Sequence, residues 1–143
     1  MVPDLQVLAI RDLYIEPGRA SDSRILRYST TIFNGGDGPL DLTGTVDADM
    51  MVTATQRMAL GDGNMSQHDV GRFVFDGSHA HWHFEDFTLV QIWTYGPTGD
   101  LQRVVASKGK GTFCAVDELP EVAGAAEPAY FTCGDGIQGI SAG

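Results

Sequence analysis

Basic residues are scarce in this chain: nine Lys and Arg stand against nineteen Asp and Glu, leaving a formal charge of −10. Nucleic-acid binding needs a basic footprint, and the few cations here are scattered, so that class is excluded. Long apolar runs are missing too. TLVQIW, residues 88–93, falls far short of the about 20 residues a bilayer span requires, so no membrane-crossing segment is expected. Cysteine is limited to Cys114 and Cys133, which either close a loop of 19 residues as one disulfide or remain two reduced, buried thiols. The opening Met1-Val2-Pro3-Asp4 has neither the basic start nor the apolar stretch of a secretion signal, so the chain reads as cytoplasmic or as a mature form carrying an added initiator methionine. Acidity is a common solubility device, and it also favours encounter with cationic ligands such as amines.

What is present is β-rich. Eighteen glycines punctuate runs of β-branched and aromatic residues, and no long amphipathic helix is evident. The pattern predicts strands over Leu5 to Ile15, Arg24 to Asn34, Pro39 to Gly44, Met50 to Met58, Val70 to Phe75 and Asp86 to Tyr95. In the second of these Leu26, Tyr28, Thr30 and Ile32 form the apolar side, with Arg27, Ser29 and Thr31 opposite. The clearest hairpin turns at Gly96-Pro97-Thr98-Gly99-Asp100 into Leu101 to Ser107. Ala59 to Asp69 and Val122 to Pro128 read as loops, and the glycine-rich end from Tyr130 to Gly143 stops without a closing strand. The expected architecture is one all-β domain over residues 1–143, an antiparallel β-sandwich lacking its closing C-terminal strands, whose unpaired sheet edge invites association.

Of four histidines, three fall within five residues: His79, His81 and His83 in SHAHWHFEDF. Neutral imidazole is the commonest nitrogen ligand for copper and zinc, and alternation along a strand would send all three rings to one face. Neighbours two apart stand ~6.6 Å apart, within reach of a shared metal, but the outer pair stands ~13 Å apart on a straight strand. Either the strand bends, with Gly77-Ser78 as the hinge, or one histidine is not a direct ligand. Ala80, Trp82 and Phe84 would occupy the opposite, core-facing side. Residue types leave copper(II) and zinc both open. The remaining histidine, His68, falls in the polar loop and makes a poor fourth ligand, and HAHWHFED does not reproduce cupin ligand spacing.

Four stretches in order carry a resemblance to the catalytic domain of the lysyl oxidase family in a compact, bacterial-type version. LRYSTTIFNGGDGPLDL resembles the family's LRF-type strand and N-x-G turn, and HAHWH followed by an acidic pair and Phe87 resembles its copper motif H-x-H-x-H. SKGKGTFCAVD resembles the segment bearing the cofactor lysine, and IQGISAG resembles QG-[LI]-S-x-G. The resemblance implies a copper-dependent amine oxidase with His79, His81 and His83 as Cu(II) ligands. It implies that Lys110 is the lysine crosslinked to a tyrosine as lysyl tyrosylquinone, with Lys108 the competing candidate two residues earlier. The implied reaction converts a primary amine, a lysyl side chain or a smaller cation, to an aldehyde with O2, releasing ammonia and hydrogen peroxide. Asp86 and Glu85 are both in sequence reach of the site as the base, and Glu85 shares the histidine face by alternation. The resemblance also favours a Cys114–Cys133 disulfide and an extracellular location.

One departure matters. The family's quinone-forming tyrosine follows the QG-[LI]-S-x-G stretch, and no tyrosine of this chain stands there: Tyr130 precedes it, and Tyr14, Tyr28 and Tyr95 lie in predicted strands far from it. The expectation is a partial chain that does not build the quinone alone. A non-catalytic copper- or zinc-binding sandwich using the same histidines is the second reading.

Overall fold

A computed structural model describes residues 1–49, 51–134 and 136–143, with residues 108–110 described by their backbone alone. The described residues form an all-β, antiparallel, sandwich-like architecture built from β1 (Leu5–Val7), β2 (Arg11–Pro17), β3 (Arg24–Ser29), β4 (Ile32–Asn34), β5 (Leu40–Val46), β6 (Val52–Ala59), β7 (Met65–Asp76), β8 (His81–Tyr95), β9 (Leu101–Phe113) and β10 (Ile137–Ile140). A six-stranded sheet runs in the order β10-β5-β6-β7-β8-β9, beside two-stranded pairs β1-β4 and β2-β3.

Period-two alternation decides which side of the main sheet is buried. Leu40 and Leu42 on β5, Val52 and Ala54 on β6, and Phe73 on β7 point one way and are nearly solvent-free, while Thr43, Thr53 and Thr55 stand between them. Ala115, Ile140 and, from β4, Ile32 close over this face. Aromatic contacts then carry the packing toward β9: Phe73 meets Phe84 edge-on at 5.8 Å, Phe84 meets Phe87 at 5.8 Å, and Phe87 stacks on Phe113 at 5.2 Å. Burying these side chains is the main stabilising term, at about 1.5–3 kcal/mol for each large one.

Several boundaries differ from expectation. The predicted strands Leu5 to Ile15 and Arg24 to Asn34 are each broken in two, because the chain changes pairing partner at residues 8–10 and 30–31: β1 pairs with β4 and β2 with β3, and a register shift between Arg11 and Tyr14, with Asp12 at φ 54°, lies within the second pair. The break lets β4 pack Ile32 on the core while β2 runs outward with Leu13, Tyr14 and Ile15 exposed. Leu26, Tyr28 and Thr30 are half-buried opposite exposed Arg27 and Ser29, as alternation predicts. The region read as a loop from Ala59 to Asp69 is a loop only to Asn64; His68 lies on β7 opposite Gln56. Most consequential, the end of the chain does contain a strand. β10 pairs with β5, Ile140 opposite Leu40, and Gly139 is required there because a side chain would collide with the Leu40 carbonyl and the Tyr130 ring.

Buried polar groups tie the irregular segments down. Asn34 donates from Nδ2 to the carbonyls of Gly38 and Ile140, both at 3.0 Å, and its Oδ1 accepts from the amides of Asp4 and Gly36. Asp117 accepts from the backbone of Ala129, Tyr130 and Ser141 and from the Ser141 hydroxyl, at 2.8–3.1 Å.

Candidate metal centre

The three histidines meet because β7 and β8 form a tight hairpin immediately before the second of them. Asp76 ends β7 and pairs with His81. Its side chain accepts from the Ser78 amide at 2.8 Å and the Ser78 hydroxyl at 2.5 Å, and its carbonyl accepts from the amides of His79 and Ala80. Ala80 then takes φ 58°, reversing the chain into β8. The bend anticipated at Gly77-Ser78 is thus a turn over residues 77–80, with the left-handed residue at Ala80. Ala80 is exposed in that turn, not core-facing as strand alternation had suggested, whereas Trp82 and Phe84 do pack against the core.

This geometry replaces the ~13 Å expected along a straight strand. The ring of His79 lies 5.4 Å from that of His81 and 5.7 Å from that of His83, and His81 and His83 are 4.8 Å apart. One nitrogen from each ring falls within 4.8 Å of the others. The Nε2 atoms of His81 and His83 are 2.8 Å apart. That contact is within hydrogen-bond distance, and the three donors are close enough to hold one metal ion, copper included. His79 is the exposed member of the set, standing in the turn.

His83 is the anchored member. It is 8% exposed, and its Nδ1 lies 3.1 Å from Oγ1 of Thr112 on β9 and 3.9 Å from Oδ2 of Asp76. Burial pushes its imidazole below the ordinary range and the neighbouring His81 adds to this, against the opposing pull of Asp76. That lowering favours the neutral imidazole, the form that ligates metal. The Asp76 carboxyl is held below the usual range first by the Ser78 hydroxyl and amide.

Two partners distant in sequence clamp the peptide between these ligands. The Trp82 amide donates to the Cys133 carbonyl at 3.0 Å, and the Trp82 carbonyl accepts from Nε2 of the fully buried Gln138 at 2.6 Å. Gln138 Oε1 in turn accepts from Ala115, next to Cys114. Cys114 and Cys133 are disulfide-bonded, with Cα atoms 5.9 Å apart. Sequence reasoning missed Asp76, Thr112 and Gln138 as supports. Thr112 and Gln138 stood inside the GTFC and IQGI stretches, but nothing in their side chains marks a role before the fold brings them to His83 and Trp82.

Other expected residues stand elsewhere. Lys110 and Lys108 lie on β9, and their side chains fall outside the described residues. Glu85 is engaged by Arg72 at 3.0 Å on the neighbouring strand. Asp86 occupies φ 62° where β8 loses register with β9. His68 is eight residues up β7 from Asp76, about 26 Å along a strand, and is no fourth ligand. Tyr130 is buried against Gly139, and burial and the charge of Asp41 push its phenol up to about 12. A cleft of about 220 Å³ between β4, β10 and the segment after β9 is lined by Ile32, Phe33, Phe113 and Leu119, and by none of the three histidines.

No protein-family model, curated protein or solved structure matches the chain. The fold and the site therefore define it as an all-β protein with a three-histidine cluster able to hold a metal ion.

Proposed function

We propose that this chain forms the copper-binding part of a lysyl oxidase-like amine oxidase, which converts primary amines to aldehydes with O2 and releases ammonia and hydrogen peroxide. The observation that carries the proposal is a convergence. The four stretches that resemble the family are far apart in sequence yet touch one another: Thr112 reaches His83, Gln138 reaches Trp82 and Ala115, and Asn34 reaches the carbonyl of Ile140. A chance match of short motifs gives no reason for them to share one network.

In this reading His79, His81 and His83 hold Cu(II), and Lys110 contributes the chain's half of a quinone; the tyrosine half has no assigned residue among the 143. When formed, that quinone supplies the carbonyl and the electron chemistry for amine oxidation. The chain's own contribution is to favour the neutral form of His83, to hold His81 and His83 at a fixed spacing, and to draw a cationic amine through a net charge of −10. Arg72 compensates Glu85, which weakens the claim of that carboxylate to act as the base. The disulfide is in keeping with an extracellular setting.

The test is protein expressed from its full coding sequence, loaded with copper and assayed for amine-dependent peroxide, quinone staining and a crosslinked Lys110 peptide. Peroxide formation that disappears in K110A supports the proposal. The second reading, a non-catalytic copper- or zinc-binding sandwich, draws on the fact that the three donors and their supports are complete without Lys110. One metal per chain, with neither quinone nor peroxide, selects it.

A further inference from the structure

We propose that Thr112 is a positioning residue for the metal centre: its hydroxyl oxygen accepts the Nδ1–H of His83 and so leaves Nε2 of that histidine free to ligate. The inference rests on reading His79, His81 and His83 as a metal site.

A neutral imidazole carries one proton and can ligate only through the other nitrogen. In His83 the two nitrogens face different surroundings. Nε2 faces Nε2 of His81 at 2.8 Å, at the point where the three rings converge. Nδ1 faces away, toward Thr112 Oγ1 at 3.1 Å, with Asp76 Oδ2 3.9 Å off. A hydroxyl alone does not choose a tautomer, because it can rotate to donate or to accept. The carboxylate breaks the tie: an anion near Nδ1 favours the proton on that nitrogen, and Thr112 then accepts it. The opposite tautomer would point a hydrogen at the convergence point, where a cation must sit.

The position of the hydroxyl is set by packing on both sides. Phe113 pairs with Phe84 across β8 and β9 and stacks on Phe87, and Cys114 beyond it is tied to Cys133. On the other side Thr88 pairs with Gly111, so β8 carries extra residues between Phe84 and Thr88, and Thr112 sits opposite this bulge. A bulge beside a site is a recurrent way of re-aiming a side chain.

The experiment compares wild type, T112V, which removes the hydroxyl at nearly constant shape, and T112S, which keeps it. Zinc affinity is measured by competition with a chelator. The tautomer of His83 is read from long-range proton–nitrogen NMR correlations of the metal-free protein. Wild type and T112S are expected to show protonated Nδ1 and similar affinity, while T112V shows mixed tautomers and binds zinc about 10- to 100-fold more weakly. Unchanged affinity and tautomer in T112V overturn the proposal, as does equal weakening in T112V and T112S, which would make the contribution one of packing. Wild-type protein that binds neither zinc nor copper overturns the metal reading itself, and the proposal with it.

Discussion

His83 and His81 define the site more than His79 does, because they sit on a paired strand while His79 is exposed in a turn. H81A and H83A should each weaken zinc or copper binding by more than about a hundredfold, exceeding the effect of losing a supporting contact. H79A should weaken it less, and chelator competition will rank the three. Ala80 offers a second residue-scale test. At φ 58° it already bears the penalty of a left-handed backbone, and a β-branched side chain tolerates that region worst. A80V should cost about 1–2 kcal/mol in urea unfolding and loosen metal binding by displacing His79, whereas A80G relieves the left-handed penalty against a smaller entropic cost and should be as stable as wild type or up to about 1 kcal/mol more so.

At the scale of elements, the β7–β8 hairpin brings the histidines together and the segment after β9 holds them in register. That segment's hold is covalent at one point and polar at another: the Cys114–Cys133 disulfide places the Cys133 carbonyl on the Trp82 amide, and Gln138 takes the Trp82 carbonyl. Closing a loop of 19 residues restricts the unfolded chain by about 3 kcal/mol. Reduction, or the C114S/C133S double variant, should lower stability by about that amount and weaken metal binding; denaturant titration with and without reductant checks the first part. Q138L keeps the bulk but orphans the Ala115 amide and the Trp82 carbonyl, at about 1–3 kcal/mol for each buried group left unpaired.

At the scale of the molecule, Asp117 ties the segment after β9 to the end of the chain. Burial pushes its carboxyl up, but hydrogen bonds from Ser141, Ala129 and Tyr130 together outweigh that and hold it below the usual carboxylate range. A carboxyl lowered on folding contributes stability that is present above its unfolded value and is lost as pH falls through the folded one. D117N should therefore destabilise the protein on the order of 2 kcal/mol at pH 7, and the gap to wild type should close as pH drops below about 4, measured by urea midpoints across that range.

Much of this was legible in the chain. Alternation at Leu40, Leu42, Val52 and Ala54 marks one buried face because a strand's side chains alternate whatever it pairs with. The same rule made three closely spaced histidines a metal candidate. It misplaced Ala80, because a turn and not a strand runs through residue 80, and it put His68 in a loop because Gly, Asp and Asn near it concealed the start of β7. The glycine-rich end looked strandless because its pairing partner, β5, lies almost a hundred residues earlier.

Composition and spacing by themselves determined the all-β class and the identity of the metal candidates, since both follow from local periodicity and side-chain chemistry. Only the tertiary structure decided that the three rings converge, that the cysteines pair, and that Thr112, Asp76 and Gln138 support the centre. Those outcomes depend on the turn at residues 77–80 and on contacts between segments tens of residues apart, and no local pattern encodes which distant hydroxyl or amide will arrive beside a given imidazole.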